Sequence, residues 1–157
     1  MRRVAAAAVV TLVLAAPVAA AAAAGTAVRF TPVTHGTTTP NGRQRPTGYL
    51  APTRAAEAPF AGRLDATSRR AVARVDLRRN VVVAVFLDGF PCSSNLVVSG
   101  VLRSGNTLSV HVAYTPPPVG VATCVRTSTP YLVVAVPRSS LGAKLPTRLV
   151  VRAAARA

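Results

Sequence analysis

Acidic residues are nearly missing from this chain. Only Glu57, Asp65, Asp76 and Asp88 stand against 19 basic side chains. General acid–base chemistry needs a poised pair of groups, and these four carboxylates, like His35 and His111, are spread too widely to suggest one. Tryptophan is absent and aromatics make up 4% of the residues. The core must therefore be built from Val, Leu and Ala, and rings to stack nucleic-acid bases are not interleaved with the arginines. With two cysteines and two histidines, no metal-ligand spacing is present. No phosphate-binding loop occurs either, and Ser139 and Ser140 lack the Gly-x-Ser-x-Gly surround of a nucleophile elbow. The sequence thus predicts no enzyme, no catalytic residues, no cofactor and no bound metal.

Long apolar runs are also lacking, except at the start. MRRVAAAAVVTLVLAAPVAAAAAAG has a positive n-region in Arg2 and Arg3, an apolar stretch from 4 to 16, a break at Pro17 and a small-residue tract. That is the layout of a secretory signal peptide over 1–24, with cleavage expected between Ala20 and Ala24. The run before Pro17 is short for a span of about 20 residues. The expectation is export to the medium or the cell envelope of a bacterium, and no membrane-spanning segment after cleavage.

Taking Arg2 and Arg3 from the formal charge of +15 leaves +13. Such an excess attracts polyanions, and weak attraction to an anionic envelope polymer is one expectation. Lysine is reduced to Lys144, and the other basic residues are all arginine. With Ala, Val and Pro also abundant, this composition reads as coding bias. The arginines form no run; the densest places are the pairs Arg69–Arg70 and Arg78–Arg79. Specific nucleic-acid binding is not expected.

The remaining chain divides by composition. Residues 25–70 carry Pro32, Pro40, Pro46, Pro52 and Pro59 and show neither a period of 2 nor of 3.6. They are expected to form a partly disordered leader, with Tyr49, Leu50 and Phe60 available to dock on the later domain. ATSRRAVARVDL suggests a short helix with Thr67 or Ser68 as N-cap. His35, in the leader, is expected to be a free surface histidine.

A β-domain is expected over 71–157. RNVVVAVFLDG predicts a strand from 81 to 87 and NLVVSGVLRSG another from 95 to 103. Gly105 and Asn106 supply a hairpin turn. TLSVHVAY alternates strictly, with Leu108, Val110, Val112 and Tyr114 on one face and His111 on the polar one. After the break at TPPPVG come VATCVRT, PYLVVAVP and TRLVVRAA. Five to six short strands joined by turns predict an all-β fold, a small antiparallel β-sandwich or barrel-like domain. Tyr131 beside its apolar strand is expected in the core.

Cys92 sits in the junction DGFPCSSN after the first strong strand, and Cys124 in VATCVRT. Outside the cytosol a lone pair of cysteines reads as a disulfide. A Cys92–Cys124 bond would close a loop of about 33 residues and contribute roughly 3–4 kcal/mol on the chain-entropy estimate.

The order of these segments resembles the C-terminal domain of PrcB-type protease-complex subunits. The likeness covers about 75–141. Pro130, Tyr131, Val133, Val134, Val136 and Pro137 stand in the family's PY-x-V-V-x-V-P strand, and Asp76 with residues 82–86 in its first strand. The junction departs from the pattern, reading GFPCSSN in place of a Gly-Gly-Tyr turn. RPTGY occurs at 45–49, ahead of the wrong strand. The resemblance implies a non-catalytic accessory domain that associates with an exported protease. A protein partner, a protease or another envelope protein, is therefore the leading functional expectation. A small secreted protease inhibitor and a basic binder of envelope polymer are the alternatives.

Overall fold

The computed structural model describes residues 25–43, 45–88, 94–115 and 128–156. The signal segment, Cys92, Cys124 and the VATCVRT segment lie outside the described residues. Eight strands are present among those described. They are β1 Thr26–Ala27, β2 Thr31–Thr38, β3 Thr47–Ala51, β4 Asn80–Phe86, β5 Ser94–Ser104, β6 Thr107–Thr115, β7 Thr129–Pro137 and β8 Arg148–Ala155. Two short helices, α1 Ala58–Ala61 and α2 Ala66–Ala73, precede β4.

The strands form two four-stranded sheets, in the orders β1-β5-β6-β8 and β2-β7-β4-β3. Between them lies a core of Val81, Val83, Val85 and Leu87 from β4 and its exit, with Val134 and Val136 from β7 and Leu108, Val110 and Val112 from β6. The alternation read in TLSVHVAY is thus the inward face of β6, and His111 points outward. This is the small all-β sandwich expected from the strand pattern.

β4 and β7 do not alternate because neither of their faces meets water. Val82, Ala84, Phe86, Tyr131 and Val133, on the far face of their sheet, pack against Phe60 of α1, Val72 of α2 and Leu64 between the two helices. A strand covered on both sides reads as a continuous apolar run, which explains NVVVAVF and YLVVAV. Pro130 and Pro137 bracket β7 at positions where a missing N–H costs little. Tyr131 is fully buried.

Residues 25–70 contribute more than the leader expected of them. β2 pairs with β7 and β3 with β4, so both flank the central strands of one sheet. Their strand character was hidden for a physical reason. TPVTHGTT is a threonine-rich edge strand, half open to solvent and bulged at Val33, and Pro32 is tolerated at such an edge. In β3, Leu50 packs on the intersheet core and Tyr49 on the helix-side cluster. The helix after it starts at Ala66, but its N-cap is Asp65, not Thr67 or Ser68: the carboxylate accepts the Ser68 N–H at 2.8 Å.

One pairing departs from an all-antiparallel sandwich. β8 lies parallel to β6, Leu108 opposite Leu149 and Val110 opposite Val151. No helix is needed between them because the connecting chain crosses to the other sheet as β7. β8 also closes one side of the sandwich against β3. There a Cβ on Gly48 would fall 2.5 Å from Leu149 Cδ2 and 2.9 Å from Val151 Cγ2, so only glycine allows the two edges to approach.

Candidate interaction surface

The carboxylates and their polar neighbours are tied into the fold. Asp65 caps α2, and its Oδ2 accepts hydrogen bonds from the Tyr131 hydroxyl and, at 2.9 Å, from Ser68. Tyr131 lies 2.8 Å from Ser68 Oγ, which also meets Thr34 Oγ1 at 2.8 Å. The Tyr131 hydroxyl, then the Ser68 N–H and hydroxyl, hold the Asp65 carboxyl at about 2. Burial, then the Asp65 carboxylate, push the Tyr131 phenol above its usual range. A carboxylate held this low is a weak base at neutral pH, and Ser68 is buried. The cluster fastens helix to sheet.

The other three carboxylates are engaged as well. Asp88 is buried and receives Arg63 Nη2 at 2.9 Å and Thr47 Oγ1 at 3.3 Å, while the Arg63 guanidinium sits 3.8 Å from the Phe86 ring centroid. Glu57 pairs with Arg54 at 2.7 Å. Asp76 accepts the Arg78 N–H at 2.9 Å and lies 3.7 Å from Arg79. Some arginines serve the backbone. Arg54 donates to the carbonyls of Val72, Ala73 and Val75 at the end of α2, where unpaired carbonyls and the helix dipole favour a cation. Arg138 donates to Leu77 and Pro52.

The histidines are not brought together: His35 is exposed on β2 and His111 stands on the other sheet, in register with Gly100 and Arg152. Ser140 donates to the Pro137 carbonyl at 2.7 Å, and Ser139 is exposed. Among the described residues no three of His, Cys, Asp and Glu are grouped to hold a metal ion. None of their helices is long and apolar enough to cross a membrane.

Among the described residues, one side of the sandwich is left open. The β8–β3 side is closed, whereas at the other side β1 and the residue after it cover Arg103, Leu102 and Val101 of β5, Val28 N–H donating to the Val101 carbonyl at 2.8 Å. Among the described residues, β5 from 94 to 100 has β6 on one edge and no strand on the other. Beside that edge an apolar cleft of about 300 Å³ runs between the sheets, lined by Leu96, Val97 and Val98 of β5, Pro32 of β2, and Leu132 and Val134 of β7. Val97, at 39% relative exposure, is the exposed large hydrophobic residue of the described chain. Two bulges in β5 turn this edge locally.

Sequence reasoning places β5 but not its open edge, because which strand borders a sheet depends on pairings distant in sequence. A search of protein families, curated proteins and solved structures found no match to the chain.

Proposed function

We propose that this protein is an exported, non-catalytic interaction domain that takes an extended segment of a protein partner along the free edge of β5. The observation that carries this reading is the coincidence, among the described residues, of a strand edge without a pairing strand and an apolar cleft beside it. A peptide adding to such an edge gains main-chain hydrogen bonds, and a neighbouring pocket selects its alternate side chains. The likeness of residues 75–141 to PrcB-type subunits supports a partner among exported proteases or envelope proteins. The family strand of that likeness, Pro130 to Pro137, is β7, which forms one wall of the cleft.

The test is affinity capture with the mature, oxidised protein against the secretome and envelope of its producing organism. Recovery of an exported protease or another envelope protein, resistant to salt, is the expected result, and assay of a captured protease separates an accessory from an inhibitory role. Recovery of polymer alone, released by salt, would defeat the reading.

A further inference from the structure

The positive charge, scattered in sequence, is gathered in space. In the strand registers Asn80 pairs with Pro137, Ser104 with Thr107 and Thr107 with Arg148, so these strand ends all lie toward one pole of the sandwich. Arg138 N–H donates to the Arg79 carbonyl, and Arg148 N–H to the Asn106 carbonyl, which binds the connecting turns together there. Arg78, Arg79, Arg103, Arg138, Lys144 and Arg148 all belong to this pole. Its carboxylates are Asp76 and Glu57, and Glu57 is already paired with Arg54.

At the centre of the pole is an open depression of about 480 Å³, lined by Thr26, Arg103, Gly105, Ser139, Ser140 and Gly142. Arg103 is held in place from two sides: Nε donates to the Gly105 carbonyl at 3.1 Å and Nη2 to the Lys144 carbonyl at 2.8 Å. Among the described residues its Nη1 makes no such bond, and it lies beside Gly142, where a Cβ would come within 2.9 Å of it. Gly142 has φ +69° and Gly105 φ +56°, so both turns that shape the depression favour glycine. A fixed guanidinium with one nitrogen left over, the exposed Ser139 hydroxyl and the exposed Arg78, Arg79 and Arg148 around them form a receptor for phosphate oxygens, with Asp76 beside Arg79 the one carboxylate in competition.

We propose that this pole binds the phosphate groups of a linear polyanion, with Arg103 and Ser139 anchoring one group and Arg78, Arg79 and Arg148 engaging its neighbours along the chain. A chain fits better than a bilayer, because Val97, the exposed large hydrophobic residue, lies toward the far half of β5 and nothing apolar is offered for insertion here. It also fits better than a base-reading site. Among the described residues, Tyr49, Phe60, Phe86 and Tyr131 belong to the helix-side cluster, Phe30 packs on the intersheet core, and Tyr114 lies at the opposite end of β6. This inference is independent of the β5 edge.

The test uses the mature chain and inorganic polyphosphate, titrated over a range of salt. Replacing Arg78, Arg79 and Arg148 together by alanine removes three exposed charges from the pole. A control replaces Arg69, Arg70 and Arg156, the first two on α2, whose first turn meets Tyr131 opposite Phe86 at the far end of β4, and the third beyond β8 at its far end. The expected result is at least tenfold weaker binding for the first variant, with the log–log salt slope reduced by about 2, and less than threefold for the control. Equal losses would overturn the proposal by showing that net charge alone binds. Orthophosphate bound as tightly as the chain would also overturn it. So would tighter retention on phosphatidylglycerol vesicles at equal phosphate, or base preference with single-stranded oligonucleotides.

Discussion

The Tyr131 hydroxyl donates a hydrogen bond to Asp65 across 66 residues of sequence, joining the middle of one sheet to the first turn of α2. The contact depends on Gly36, since a Cβ there would sit 2.5 Å from that hydroxyl oxygen. Tyr131→Phe keeps the buried ring and removes the bond, leaving Ser68 and Asp65 short of a partner. Losing a hydrogen bond to a charged group is expected to lower the midpoint of urea denaturation. An unchanged midpoint would mean that the hydroxyl holds nothing.

Acid should weaken the same joint. Asp65 is held at about 2 in the folded chain against an ordinary value of 3.8, so the unfolded state binds its proton first. The stabilisation is complete above about pH 4 and is lost as pH falls through 2. Asp65→Asn should flatten the acid limb of the stability curve between those values, and a carboxyl titration followed by NMR should show Asp65 as the low outlier. In Tyr131→Phe the Asp65 value should move up.

Two glycines should respond oppositely to alanine. At Gly48 the new methyl meets Leu149 and Val151 head on, and overpacking of this kind costs about 1–3 kcal/mol. Gly62 has open space around it and φ −65°, so Gly62→Ala should stabilise by about 0.4–1 kcal/mol through the unfolded chain. Thermal melts of the two variants check both signs.

The cysteines are expected to pair with each other. Intact mass of the protein isolated without reductant should lack two hydrogens, and peptide mapping should join Cys92 to Cys124. The double Cys→Ser variant should lose roughly 3–4 kcal/mol. Alkylation of both thiols without reductant would contradict the pairing.

Much of the second half was legible because water marks it. Leu108, Val110 and Val112 alternate with polar neighbours, and Gly105-Asn106 turns the chain between β5 and β6. β4 and β7 were legible as strands but not as a layer covered on both sides, since VVVAV has no period to read. The first half was hidden. Threonine, histidine and proline in β2 and glycine in β3 look like loop in sequence, and they act as strands only because β7 and β4 supply the hydrogen-bonding partners. The bonds of Asp65 to Tyr131 and of Asp88 to Arg63 were likewise invisible, since each joins residues more than 20 positions apart, although the Asp65 cap on Ser68 is local. The open edge of β5 and the cationic pole are products of topology, and no local pattern announces either.

The central claim is that the edge of β5 receives a protein partner, and paired affinity captures test it most directly. Mature protein and its Val97→Asp variant, both verified as folded, are exposed to the same secretome and envelope fractions at moderate salt. Val97 is exposed at the cleft, and a charge on a strand edge opposes strand addition. The account predicts an envelope or exported protein retained by the wild type and lost from the variant. The same proteins retained by both, or none by either, would contradict it.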